Sequence, residues 1–105
     1  MKLVTAIVNK KDADEVCRSL RDAGFYLTKM ATTGGFLTAG NTTVMIGTED
    51  ESVETVLQII REHCSKRTEF LPATTSPSHV AMSPTPVVVG GATIFVTNVE
   101  HFEKI

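Results

Sequence analysis

A change of hydrophobic period, made twice, limits the folds open to this chain. Residues 3–8 are apolar and rich in β-branched side chains, which favours a strand. After them Ala13, Val16, Cys17 and Leu20 recur at i, i+3, i+4 and i+7, the stripe of a helix with one buried face. Residues 42–47 again read as a strand, followed by a second stripe of Val53, Val56, Leu57, Ile60 and Cys64. Asp12 with Glu15, and Thr48 with Glu51, stand at capping-box spacing and predict where the two helices begin. Gly24 is placed to end the first, because glycine accepts the left-handed conformation at that position.

Residues 25–31 read as a strand between the first helix and a glycine-rich segment, 32–41. Residues 68–86 are dominated by Ser, Thr and Pro, and four prolines (Pro72, Pro77, Pro84, Pro86) predict a long loop. A final strand is expected over 87–96, with Gly90-Gly91 as a bulge or a close backbone approach. The order is β-α-β-β-α-β, an α+β ferredoxin-like sandwich with a long Pro/Ser/Thr loop before its last strand. At 105 residues the expected organisation is a single domain over 1–105, since two separate cores would each be too small to hold.

Both helices of such a fold cover one face of the sheet, yet the strands are apolar on both. Leu3 and Ile7 alternate with Val4, Ala6 and Val8, and Met45 lies between Val44 and Ile46. A solvated face alternates with polar residues. The second face is therefore expected to be covered, most simply by other copies of the chain.

The net charge of −2 gives no basic field to hold DNA. The apolar amino-terminal run is too short for a signal peptide, and no stretch is long enough for membrane insertion, so the expected location is cytoplasmic. Cys17 and Cys64 make no metal or disulfide framework and read as buried thiols. His63, His79 and His101 lack partners at metal or triad spacing. No nucleophile–base pair is in view, so the chain does not read as an enzyme and no cofactor is expected.

The strongest local signal is 32–41, with three glycines in seven residues at Gly34, Gly35 and Gly40. In one reading their backbone amides approach a phosphate, Phe36 stacks on a base, and Asn41 pairs with an adenine edge. In the other the segment is a connection that tucks Phe36 and Leu37 beneath the sheet. The residue types fit both readings equally.

The segments Ala31-Thr32-Thr33-Gly34-Gly35-Phe36-Leu37, Ala39-Gly40-Asn41-Thr42-Thr43 and Val89-Gly90-Gly91-Ala92-Thr93-Ile94-Phe95-Val96 together resemble the PII-like cyclic-di-AMP receptor proteins. The resemblance covers nearly the whole length. It implies a PII-like homotrimer with ligand pockets at subunit boundaries, and signalling to an unknown downstream protein through loop movement. It places the pocket on Thr28, Gly35, Phe36, Leu37, Asn41 and Gly47, with Thr28 and Asn41 on adenine edges and Phe36 and Leu37 on its faces. Two positions depart, because Tyr26 and Thr38 stand where the family carries basic residues. Residues 74–86 also lack the family's glycine pair and tyrosine-proline run. The expected ligand is cyclic-di-AMP or a related adenine nucleotide. The alternative is a PII-like trimer of other specificity, or one acting through protein contacts only.

Overall fold

The computed structural model describes residues 1–32, 40–71 and 85–105. Within them the chain forms β1 (Lys2–Asn9), α1 (Lys10–Asp22), β2 (Leu27–Thr32), β3 (Asn41–Thr48), α2 (Val53–His63), β4 (Arg67–Leu71), β5 (Thr85–Val89) and β6 (Ala92–Asn98). Four strands make an antiparallel sheet in the order β2-β3-β1-β6, and β4 pairs with β5 in a separate two-stranded sheet. The first sheet with its two helices is the α+β arrangement expected from the sequence. No helix of the described residues is long and apolar enough to cross a membrane.

Side-chain alternation on β1 sets the layers. Val4, Ala6 and Val8 are fully buried and join Val44, Ile46, Ala13, Val16, Cys17, Leu20, Val56, Ile60 and Cys64 in one core. The register seats Ala6 between Val44 and Ile94, and Val4 between Ile46 and Val96. Leu3 and Ile7 point to the opposite face, together with Met45 of β3, Met30 of β2 and Phe95 of β6. Met30 and Phe95 keep 40% and 46% of their surface exposed, so this second apolar face is only partly covered within one chain.

The ends of α1 follow from its own sequence. Its N-cap is Asn9, whose Oδ1 accepts a hydrogen bond from the Lys11 amide at 2.9 Å. The helix thus begins at Lys10, earlier than the Asp12–Glu15 spacing predicts. Asp12 is buried instead, and its carboxylate receives two hydrogen bonds from Arg67, at 2.8 and 3.4 Å. That pair ties the first turn of α1 to the start of β4. At the other end the Gly24 amide donates to Arg21 O at 2.9 Å and the Phe25 amide to Leu20 O at 3.0 Å. With Gly24 at φ +92° these bonds form a Schellman motif, so Gly24 ends α1 as expected.

The second predicted capping box does not form. Thr48 is the last residue of β3, and a 3₁₀ turn over Asp50–Ser52 intervenes before α2 begins at Val53. Neither Glu49 nor Ser52 makes a side-chain cap bond there.

Two further expectations are corrected beyond α2. The span 68–86 is not loop throughout, because β4 and the first residues of β5 pair within it, Thr68 opposite Val88 and Leu71 opposite Thr85. Residues 72–84 lie outside the described part. The strand predicted over 87–96 is broken at Gly90-Gly91, where β5 leaves for the small sheet and β6 enters the large one. Both glycines have positive φ, +87° and +81°. The close approach, by contrast, is present. The Gly91 amide donates to Cys64 O, and a Cβ on Gly90 would lie 2.5 Å from Ser65 O.

Both cysteines are free and buried. Burial raises the Cys17 thiol above its ordinary value and pushes Cys64 up to about 12. Since the thiolate is the reactive form, iodoacetamide at neutral pH should leave both unmodified in the native protein. Adding denaturant should restore labelling of both, as read by mass. Rapid alkylation of the native chain would show that the space between α1, α2 and β6 opens readily.

Candidate functional site

The described residues put an open cleft of about 400 Å³ at the end of the sheet where β1 begins. Its floor is the sheet face opposite the helices: Leu3 of β1, Thr28 of β2, and Met45 and Gly47 of β3. The pairing of Thr28 with Met45 and of Leu3 with Gly47 brings these four positions side by side. Tyr26, just before β2, stands at its rim with 88% of its surface exposed. Gly47 contributes open space, because no heavy atom lies within 4 Å of where its Cβ would be.

The far wall comes from residues after β6. The Val99 amide donates to Met1 O at 3.2 Å, which extends the β1–β6 pairing by one residue and starts the following segment at the strand ends. Val99 and Phe102 thereby line the same cleft. An adjoining compartment of about 440 Å³ is bounded by Met1, Tyr26, Gly47, Phe102, Glu103 and Lys104. Lys104 Nζ lies 5.9 Å from the centre of the Tyr26 ring, within range of a cation–π contact.

The charged groups around this region are mostly paired. The Met1 amino group meets Asp50 at 3.0 Å, and that hydrogen bond holds the Asp50 carboxyl below its ordinary range. Lys29, next to Thr28 on β2, meets Asp14 at 3.0 Å and lowers that carboxyl in the same way. Glu103 Oε1 lies 3.0 Å from His101 Nε2.

Three of the residues singled out in the sequence, Tyr26, Thr28 and Gly47, therefore share one cleft. Asn41 does not join them. It is buried at the opposite end of β3, opposite Asn9 and Thr32, and six residues of strand place it about 20 Å from Gly47. Gly35, Phe36, Leu37 and Thr38 lie outside the described residues. Gly40, where the chain re-enters the sheet, accepts a hydrogen bond from the Lys10 amide at 3.3 Å, fixing Asn41 beside the start of α1.

Sequence reasoning missed Met45, Phe102 and Lys104. Met45 was visible only as the inward or outward member of an alternating strand. Phe102 and Lys104 follow the last strand with no periodic pattern, and only the β1–β6 register brings them to the cleft. It also missed a contact on the helical side, where Ser19 and His63 Nε2 are 3.0 Å apart. Glu15 is 3.9 Å from the other ring nitrogen, beyond hydrogen-bond length, so the group joins α1 to α2 without forming a relay.

The described residues thus form an α+β sheet with an open cleft of about 400 Å³ at its strand ends and a separate two-stranded hairpin beyond a glycine pair. A family profile described as cyclic-di-AMP receptor matches residues 1–105, the whole chain. The chain belongs to the cyclic-di-AMP receptor family. It is also similar to a crystal structure of a functionally unknown protein from Pediococcus pentosaceus ATCC 25745. The two share 45% identity and a TM-score of 0.79, over 99% of this chain and 96% of that one.

Proposed function

We propose that this chain is a signal-transduction receptor that binds cyclic-di-AMP between the subunits of a homotrimer and answers by rearranging loops toward a protein partner. The observation that carries the reading is the convergence of Tyr26, Thr28 and Gly47 on one cleft. The second apolar face, with Leu3, Ile7, Met30, Met45 and Phe95, supports association of copies through the sheet. The distance from the cleft to Asn41 suits a ligand with two bases, one set against each end of β3 or against neighbouring chains. Thr28 and Asn41 then address adenine edges, and Gly35, Phe36, Leu37 and Thr38 enclose the ligand from the segment between β2 and β3. Loop movement finds its pivot at Gly90-Gly91 and its restraint in the Asp12–Arg67 pair.

One observation favours a second reading, a trimer of other nucleotide specificity. Tyr26 is a neutral ring at a position where the resemblance implies a basic side chain.

Titration calorimetry with cyclic-di-AMP, cyclic-di-GMP, ATP and AMP, beside sedimentation of the free protein, tests both readings. The expected result is a trimer that binds one cyclic-di-AMP per chain and prefers it to the other three. Phe36→Ala and Asn41→Ala should each weaken binding by about 1–3 kcal/mol, the scale of a stacked base and of a paired base edge. Preference for ATP or AMP selects the second reading. A stable monomer without nucleotide affinity overturns both.

A further inference from the structure

The exposed segment after β6 borders the cleft and brings to it an aromatic ring and a cation. Phe102 lines both compartments and is 63% exposed. Lys104 is the one cationic side chain among the described residues that line them. The remaining floor is Leu3, Met45 and the bare backbone of Gly47, with Thr28 as its polar member. Two aromatic rings beside an apolar floor, with the Lys104 ammonium at the rim and the Glu103 carboxylate there set against His101 at 3.0 Å, match a planar ligand that carries negative charge at the edge near Lys104. A phosphorylated nucleobase has that shape and charge. An aliphatic anion would leave the Tyr26 ring unused, and a neutral base would leave Lys104 unused.

The Lys104 ammonium lies 5.9 Å from the centre of the Tyr26 ring. A base stacking on that ring displaces the ammonium from the face, and the flexible four-carbon stem lets it swing to the phosphate. The contact therefore exchanges a weak cation–π partner for a stronger charged one when ligand enters.

We infer that Tyr26, Phe102 and Lys104 form a clamp for a phosphorylated nucleobase, with Lys104 pairing with the phosphate while the rings hold the base. This rests on the receptor reading, since it assigns the clamp to one base and its phosphate in the same ligand. It adds the segment 99–105 to the binding site and makes that segment selective for charge.

The test compares the parent with Lys104→Met, Tyr26→Phe and Tyr26→Ala, using cyclic-di-AMP, ATP and unphosphorylated adenosine as probes. Tyr26 and Lys104 lie on the surface, and equal urea midpoints will show that the variants fold alike. Lys104→Met should weaken cyclic-di-AMP roughly tenfold, as loss of a charged hydrogen bond does, and should flatten the salt dependence of binding. The same variant should leave adenosine affinity unchanged. Tyr26→Ala should weaken both cyclic-di-AMP and adenosine about tenfold, the scale of one lost stacking platform, while Tyr26→Phe binds like the parent.

If the parent binds cyclic-di-AMP but Lys104→Met binds it equally or more tightly, the clamp is wrong and the receptor reading stands. If the parent binds only ATP, and does so through Lys104, the clamp stands and the cyclic-di-AMP reading falls. If no probe binds the parent, both fall.

Discussion

Replacing Gly90 by alanine should destabilise the protein by roughly 2–5 kcal/mol, the combined scale of a left-handed non-glycine residue and an overpacked contact. Two conditions coincide at this residue. Its φ of +87° is one that L side chains rarely adopt, and the added Cβ would meet Ser65 O at 2.5 Å and an Arg67 guanidinium nitrogen at 2.8 Å. The backbone oxygen cannot step aside without disturbing the end of α2. Gly91 makes a sharper comparison. Its added Cβ would meet only the flexible side chain of Lys66, at 3.0 Å, so its loss should amount to about 1–2 kcal/mol from backbone strain alone. Gly24, with φ +92° and open space around it, should behave like Gly91. Urea midpoints of the three alanine variants give the order. Equal midpoints would show that the close approach at Gly90 adds nothing to the strain.

Leu20→Ala should lower stability by about 2–5 kcal/mol, the range for emptying a fully buried leucine site. Leu20 has no exposed surface and packs in the core between the helices and the sheet. Its carbonyl also receives the Phe25 amide, so the cavity opens under the turn that delivers Tyr26 to the cleft. Ligand affinity measured well below the melting transition should stay near that of the parent, because the folded cleft keeps its own residues. Tyr26→Ala is expected to show the reverse, weaker binding at an unchanged urea midpoint. If Leu20→Ala abolishes binding in a chain that is still folded, the turn at Gly24-Phe25 is part of the site and not merely its support.

The large sheet and both helices were legible because their signals are local. A helical stripe such as Ala13, Val16, Cys17 and Leu20 can only be buried one way, and alternation on β1 settles which residues face it. Caps were less legible. Asn9 and Asp12 both suit an N-cap, and the helix uses Asn9, while Asp12 receives Arg67, distant in sequence. No local rule contains that partner. The hairpin was hidden by composition, since the Ser, Thr and Pro of 68–86 weigh against strands while pairing of β4 with β5 depends on register. Of the candidate site, Tyr26, Thr28 and Gly47 were found by resemblance, and strand pairing explains why they meet. Lys104 and Phe102 reach the cleft only because β6 runs antiparallel to β1 and returns the chain to Met1.

Because the last strand is broken at Gly90-Gly91, the arm and the body of this chain are free to change separately over time. β5 and β6 are neighbours in sequence but, among the described residues, share no strand partner, and two residues separate the arm from the body. Substitutions in the arm formed by β4 and β5 need not be matched by substitutions in the core, so the two can diverge independently. A chimaera carrying a relative's arm between Arg67 and Val89 should therefore fold on this body, provided that Asp12, Arg67 and the glycine pair are kept.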